Sequence, residues 1–112
     1  RGRRRMIDFA TYQRTALTTA VYPKKYAVSY PALGLAEEAG EVAGKIKKMM
    51  RDGIPLDEQK EKVESEMGDV LWYLANLAYD CGISLEVVAE KNIEKVKDRQ
   101  VRGQLHGEGD NR

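Results

Sequence analysis

Apolar residues recur at three- and four-residue spacing in four blocks of the chain, and no block shows the strict alternation of a half-buried strand. The first block predicts a helix from roughly Asp8 to Ala20, with Ile7, Tyr12, Ala16, Leu17 and Ala20 on its apolar side. It ends before Tyr22-Pro23, because a residue preceding proline disfavours helix. Residues 21–30, rich in Tyr and Lys, read as a loop. The second helix begins near Pro31, a good first-turn residue with Ser29 or Tyr30 ahead of it. It stops at Arg51-Asp52-Gly53, where glycine can take the left-handed conformation. Asp57 is expected to cap the third helix, which runs to about Cys81 and stops at Gly82. Ser84 caps a fourth that runs to about Val101, and residues 103–112 form a glycine-rich tail without periodicity. Short connections favour antiparallel neighbours, so the expected fold is all-α, an antiparallel four-helix bundle.

The faces of these helices are uneven. On the second, Leu35, Ala39, Val42, Ala43, Ile46, Met49 and Met50 make an apolar stripe. Ala36, Gly40 and Gly44 make a small-residue side that would let another helix come close. The third carries Val63, Met67, Val70, Leu74, Leu77 and Cys81 on its main stripe, with Leu71, Trp72, Ala75 and Tyr79 extending apolar surface around it. One polar strip remains there, Glu66, Asp69, Tyr73, Asn76 and Asp80. The fourth is expected to bury Leu85, Val88, Ala89 and Val96, with Asn92 among them and Lys95 and Arg99 beside them.

The chain has 112 residues, which suits one domain, here residues 6–102. A formal net charge of +1 does not mark a polyanion binder, although Arg1, Arg3, Arg4 and Arg5 crowd the start. Residues 1–5 read as an added leader before Met6 or as a basic arm. Without those arginines, 15 basic residues face 18 acidic ones, a net of −3, and no stable nucleic-acid partner is expected. Cys81 is the single cysteine, so no disulfide can form within the chain and a reducing, cytoplasmic setting is expected. No apolar run approaches the ~20 residues of a membrane span.

Candidate chemistry lies in the acids. Glu38 and Glu41 share one face of the second helix, Glu37 sits a turn from Glu41, and Lys45 follows on the same side. Alone, this pattern fits a solvated face of Glu and Lys pairs equally well. Glu66 and Asp69 shift the balance, because they interrupt a helix that is otherwise largely apolar, where a carboxylate is costly unless something positive meets it. If the two helices pair, Glu38, Glu41, Glu66 and Asp69 converge. Four carboxylates without histidine favour a hard cation, Mg²⁺ or Mn²⁺, over zinc. Such an ion could orient a triphosphate and neutralise charge during attack by water. Asn92, Lys95 and Arg99 offer a phosphate- or sugar-contacting edge, although a lone Asn on an apolar face is often a satisfied core amide.

The string from Gly34 to Gly44, Gly-Leu-Ala-Glu-Glu-Ala-Gly-Glu-Val-Ala-Gly, resembles the MazG-like family of all-α nucleoside triphosphate pyrophosphohydrolases. So do Glu66-Met-Gly-Asp-Val-Leu-Trp-Tyr-Leu74 and Lys91-Asn-Ile-Glu-Lys-Val-Lys-Asp-Arg99, and the likeness covers about residues 31–112. The resemblance implies that Glu38, Glu41, Glu66 and Asp69 coordinate Mg²⁺ and that Glu37 is the general base. It implies that Asn92, Lys95 and, with them, Lys45, Tyr73 and Arg99 contact the nucleotide. It further implies hydrolysis at the α-phosphorus to monophosphate and pyrophosphate, a role in cleaning the nucleotide pool, and a homodimer or homotetramer with sites near subunit interfaces. Within the same chemistry stands a phosphoribosyl-ATP pyrophosphatase, and outside it a non-catalytic helical regulatory module. A di-iron bundle would need Glu-x-x-His pairs, and His106 is the sole histidine.

Overall fold

Local chemistry fixes most helix ends in the computed structural model, which describes residues 6–103. The arginine-rich residues 1–5 and the tail beyond Gly103, with His106 and Arg112, lie outside the described residues. Asp8 caps α1 (Phe9–Thr18), its carboxylate accepting from the Thr11 amide at 2.7 Å. That bond holds its carboxyl below the usual range. The helix stops short of Ala20 because the Thr18 and Thr19 hydroxyls turn back onto the carbonyls of Thr15 and Ala16, at 2.7 and 2.8 Å. A 3-10 turn, Lys24–Tyr26, leads into α2 (Ser29–Asp52), which ends on Gly53 at φ 68°. Next come α3 (Leu56–Asp80) and α4 (Leu85–Arg102), the latter capped by Ser84, which accepts from the Val87 amide. Asp57 is not the cap of α3. Extended Pro55 precedes the helix, and Asp57 falls in its first turn, where its charge faces the positive helix end instead. The described residues contain four α-helices and no strand, as the periodicity indicated.

α2 and α3 make the most extensive pairing, and their direction can be read from partners. As α2 advances from Gly34 to Glu38 to Lys45, the residues it meets on α3 retreat from Tyr73 to Asp69 to Glu66. The two are antiparallel, as the short link through Gly53 requires. α1 and α4 pack on α3's other side, where Ala16, Ala75 and Leu85 form a small buried centre ringed by Tyr12, Leu71, Trp72 and Leu74.

One side chain ties these three helices together. The Gln13 amide nitrogen donates to the carbonyls of Ala75 and Ile83 at 3.2 and 3.1 Å, and its oxygen accepts from the Leu85 amide at 3.0 Å. Truncation would remove all three bonds and strand the amide of buried Leu85. Gln13→Ala is expected to cost on the order of 2 kcal/mol, read as a drop of about 10 °C in thermal unfolding followed by circular dichroism. A Tm within about 2 °C of the parent would remove this role.

Most of the polar strip of α3 faces other elements: Asp69, still exposed, and Tyr73 meet α2, Asn76 is buried, and Asp80 meets the α1–α2 connection. The faces differ from expectation in two respects. Val88 and Val96 of α4 stay 39% and 37% exposed, so the anticipated core stripe is covered only around Leu85. The close approach of helices also falls at Gly34 rather than at Gly40 or Gly44, where an added Cβ would meet nothing. Met67 is 57% exposed and, with Ala39, Val42, Val70, Leu71 and Leu74, lines an open apolar cleft between α2 and α3. None of the described helices is long and apolar enough to cross a membrane.

Candidate metal centre

The α2–α3 pairing brings acids together that are 28 to 31 positions apart in sequence. Glu38, Glu66 and Asp69 each offer a carboxylate oxygen, and the three oxygens lie within 4.8 Å of one another. Each is placed by a long helix, so the cluster rests on backbone that is rigid without it. Lys45, two turns along α2, stands 3.9 Å from Glu66 and brings a positive charge to the edge of the cluster. Glu37 and Glu41 are exposed on adjoining positions of α2 and stay outside the converging three.

The electrostatics follow from that crowding. Burial pushes the Glu38 carboxyl above its usual range, and the charges of Asp69, Glu66, Glu37 and Glu41 push it further the same way. Three like charges held this close need a counter-ion. Lys45 is partly exposed and meets only one edge of the group, so it compensates incompletely. An all-oxygen donor set without nitrogen or sulfur fits Mg²⁺ or Mn²⁺, and the separation of the oxygens leaves room for one such ion among them.

Two phenols border the acids. Tyr73 lies with its ring flat against the backbone of α2 at Gly34, where a Cβ would overlap it. Its hydroxyl is raised by burial first, then by Tyr30 and by the charges of Glu38 and Glu37. Tyr12 of α1 is raised by burial and then by Asp69, which brings a third helix to the edge of the cluster. Tyr73 continues into an aromatic series. Trp72 meets it edge-on with ring centres 5.0 Å apart, Tyr30 is tilted against it at 6.3 Å, and Tyr22 stacks on Tyr30 at 4.8 Å. The Trp72 indole N–H donates to the Thr19 hydroxyl at 2.7 Å.

Asn92 and Lys95 are exposed on a helix that packs on α1 and α3, whereas Arg99 is buried, 4% exposed. Sequence reasoning also passed over Gly34, Tyr12, Tyr22 and Tyr30. For Gly34 a signal existed, a glycine on the α2 side facing the polar strip of α3. The tyrosines belong to segments with no motif, and only the packing reveals them.

The model of the MazG nucleotide pyrophosphohydrolase domain matches residues 30–102 of the chain. The Gene 37 protein of Mycobacterium phage L5 is similar, 40% identical over 109 residues that span 90% of this chain and 96% of the phage protein. No solved structure matches the chain.

Proposed function

Because the chain belongs to the MazG nucleotide pyrophosphohydrolase family, we propose that it hydrolyses nucleoside or deoxynucleoside triphosphates to the monophosphate and pyrophosphate with a divalent cation. The observation that carries this reading is the convergence of Glu38, Glu66 and Asp69 across two helices. These residues would hold Mg²⁺, or Mn²⁺ in its place, with Glu41 swinging in from the next turn of α2 to complete the set. The bound cation supplies charge neutralisation at the phosphates and a fixed place for them.

Every other role falls to side chains. Glu37 takes a proton from the water that attacks the α-phosphorus. The bond from that phosphorus to the bridging oxygen breaks, and pyrophosphate leaves. Lys45, already an ion-pair partner of Glu66, meets a phosphate oxygen, and Tyr73 closes one side of the site. Asn92, Lys95 and Arg99 contact the phosphates or sugar from α4. The chain acts as a homodimer or homotetramer in the cytoplasm, with no membrane or stable nucleic-acid partner, and cleans the nucleotide pool. The assembly is supported by the open apolar cleft and by the half-exposed Val88, Ile93 and Val96, which a single chain leaves wet.

The test is a panel of common NTPs and dNTPs, with phosphoribosyl-ATP as a further arm, scored for pyrophosphate release with Mg²⁺, Mn²⁺ or chelator. Chelator-sensitive release from at least one NTP or dNTP is expected. Release from phosphoribosyl-ATP alone would reassign the substrate. Silence across the panel with both metals would leave a non-catalytic helical module.

A further inference from the structure

Of the polar strip on α3, Glu66, Asp69 and Tyr73 serve the acid cluster, and buried Asn76 donates to the Trp72 carbonyl. Asp80 is the one carboxylate of the strip that the proposed reaction does not use. It ends α3, far along the helix from the acids, yet both of its contacts run to the connection between α1 and α2. One carboxylate oxygen accepts the Tyr22 hydroxyl at 2.7 Å and the Val28 amide at 3.0 Å.

Each contact holds something that would not hold itself. Val28 sits at φ 70°, ψ −57°, the only non-glycine residue with positive φ among those described. The Ser29 amide donates to the Ala27 carbonyl at 2.8 Å across it, closing a tight three-residue turn that a β-branched residue rarely makes. No side chain of its own segment caps α2 there, so the negative charge of Asp80 meets the helix start from outside. Tyr22, the second contact, is the outer ring of the series Tyr22–Tyr30–Tyr73. That series ends at the phenol beside Glu38 and Glu37 and leaves Tyr30 45% exposed next to it.

We propose that Asp80 is a positioning residue for nucleotide binding: by accepting the Tyr22 hydroxyl and the Val28 amide, it fixes the first turn of α2 and presents the exposed ring of Tyr30 to a nucleoside triphosphate whose phosphates sit at the acid cluster. The inference rests on the hydrolase reading above. An aromatic face in a fixed orientation stacks on a nucleobase, and a face free to turn loses that advantage. The acids ride on helices α2 and α3, so metal binding does not depend on the clamp.

The test measures equilibrium binding of α,β-methylene nucleoside triphosphates carrying different bases, with Mg²⁺ present, and binding of Mg²⁺ alone. Asp80→Asn and Tyr22→Phe are each expected to weaken the best-bound analogue on the order of tenfold, with Mg²⁺ affinity within about twofold and the double variant no worse than about the stronger single one. In pyrophosphate release KM should rise by a similar factor while kcat moves less than about threefold. Unchanged analogue binding in both variants, or a parallel loss of Mg²⁺, would overturn the assignment. If Asp80→Asn does not fold, Tyr22→Phe, which leaves the bond to Val28 in place, carries the same comparison. A parent protein that binds the analogue but releases no pyrophosphate would sink the hydrolase reading and leave the clamp to be judged by the binding data. A parent that binds no analogue would sink both.

Discussion

Glu38→Gln is expected to lower divalent-cation-dependent turnover by on the order of a thousandfold or more, and in chelator to raise the melting temperature at the same time. The two effects share one origin. Glu38 lies at the meeting point of the acids, so its charge is what a cation would need and what the metal-free fold tolerates poorly. Its carboxyl is raised by burial and by four neighbouring acids, so the folded chain disfavours the ionised form. A carboxyl raised on folding binds its proton more tightly in the native state than in the unfolded one. Stability therefore falls as pH rises through the carboxylate range. The gap in Tm between Glu38→Gln and the parent should be open at neutral pH and close as the pH is lowered through that range. Adding Mg²⁺ should raise the parent's Tm and leave the variant's unmoved. Asp69→Asn should match the loss of turnover. Glu37→Gln, which alters no member of the converging three, should lose about a hundredfold in kcat with Mg²⁺ affinity retained. Calorimetry and pyrophosphate release read all of these. Parental turnover in Glu38→Gln, or a lower Tm in chelator, would remove the acid cluster from the mechanism.

Gly34→Ala should show how closely α2 and α3 are fitted. An ideal Cβ at Gly34 would overlap the ring of Tyr73, and that ring cannot retreat easily with Trp72 edge-on to it and Tyr30 beyond. Either the helices part or the phenol swings out, and the expected cost is about 3 kcal/mol. Gly40→Ala provides the control on the same helix. Nothing stands within 4 Å of its added methyl, so the helix preference of alanine should stabilise the chain by roughly 1 kcal/mol. Opposite signs for one chemical change, six residues apart in the sequence, would place the contact at Tyr73. A combined Gly34→Ala and Tyr73→Ala variant should lose less than the two singles added together. If Gly34→Ala unfolds like Gly40→Ala, the close approach is wrong.

The four helices were legible because their ends are chemical: Asp8, Gly53, Ser84 and Gly82 act where the sequence puts them. Asp57 misled because a good cap residue stands two places past Pro55, which already occupies the cap position, and so falls inside the first turn. The acids were legible too. Pairs at i, i+3 on two helices joined by a short link have one way to meet, and the three that converge came from those pairs. What a helical wheel cannot give is the partner of each face. It marked the strip from Glu66 to Asp80 as polar without showing that it meets α2 and the connection before it. It assigned Val88 and Val96 to a core that one chain does not close. Tyr22, Val28 and Tyr30 lay in a stretch with no periodicity, and the first two are held by an aspartate more than fifty residues away.

Trp72 gives this architecture an optical consequence. It is the chain's one tryptophan, tethered through its N–H to Thr19 and set edge-on to Tyr73. Its emission therefore comes from a single site, one ring removed from the acids. Any event that moves the phenol of Tyr73 changes the quenching of that indole, so filling the site is reported by intrinsic fluorescence, without a label and in real time.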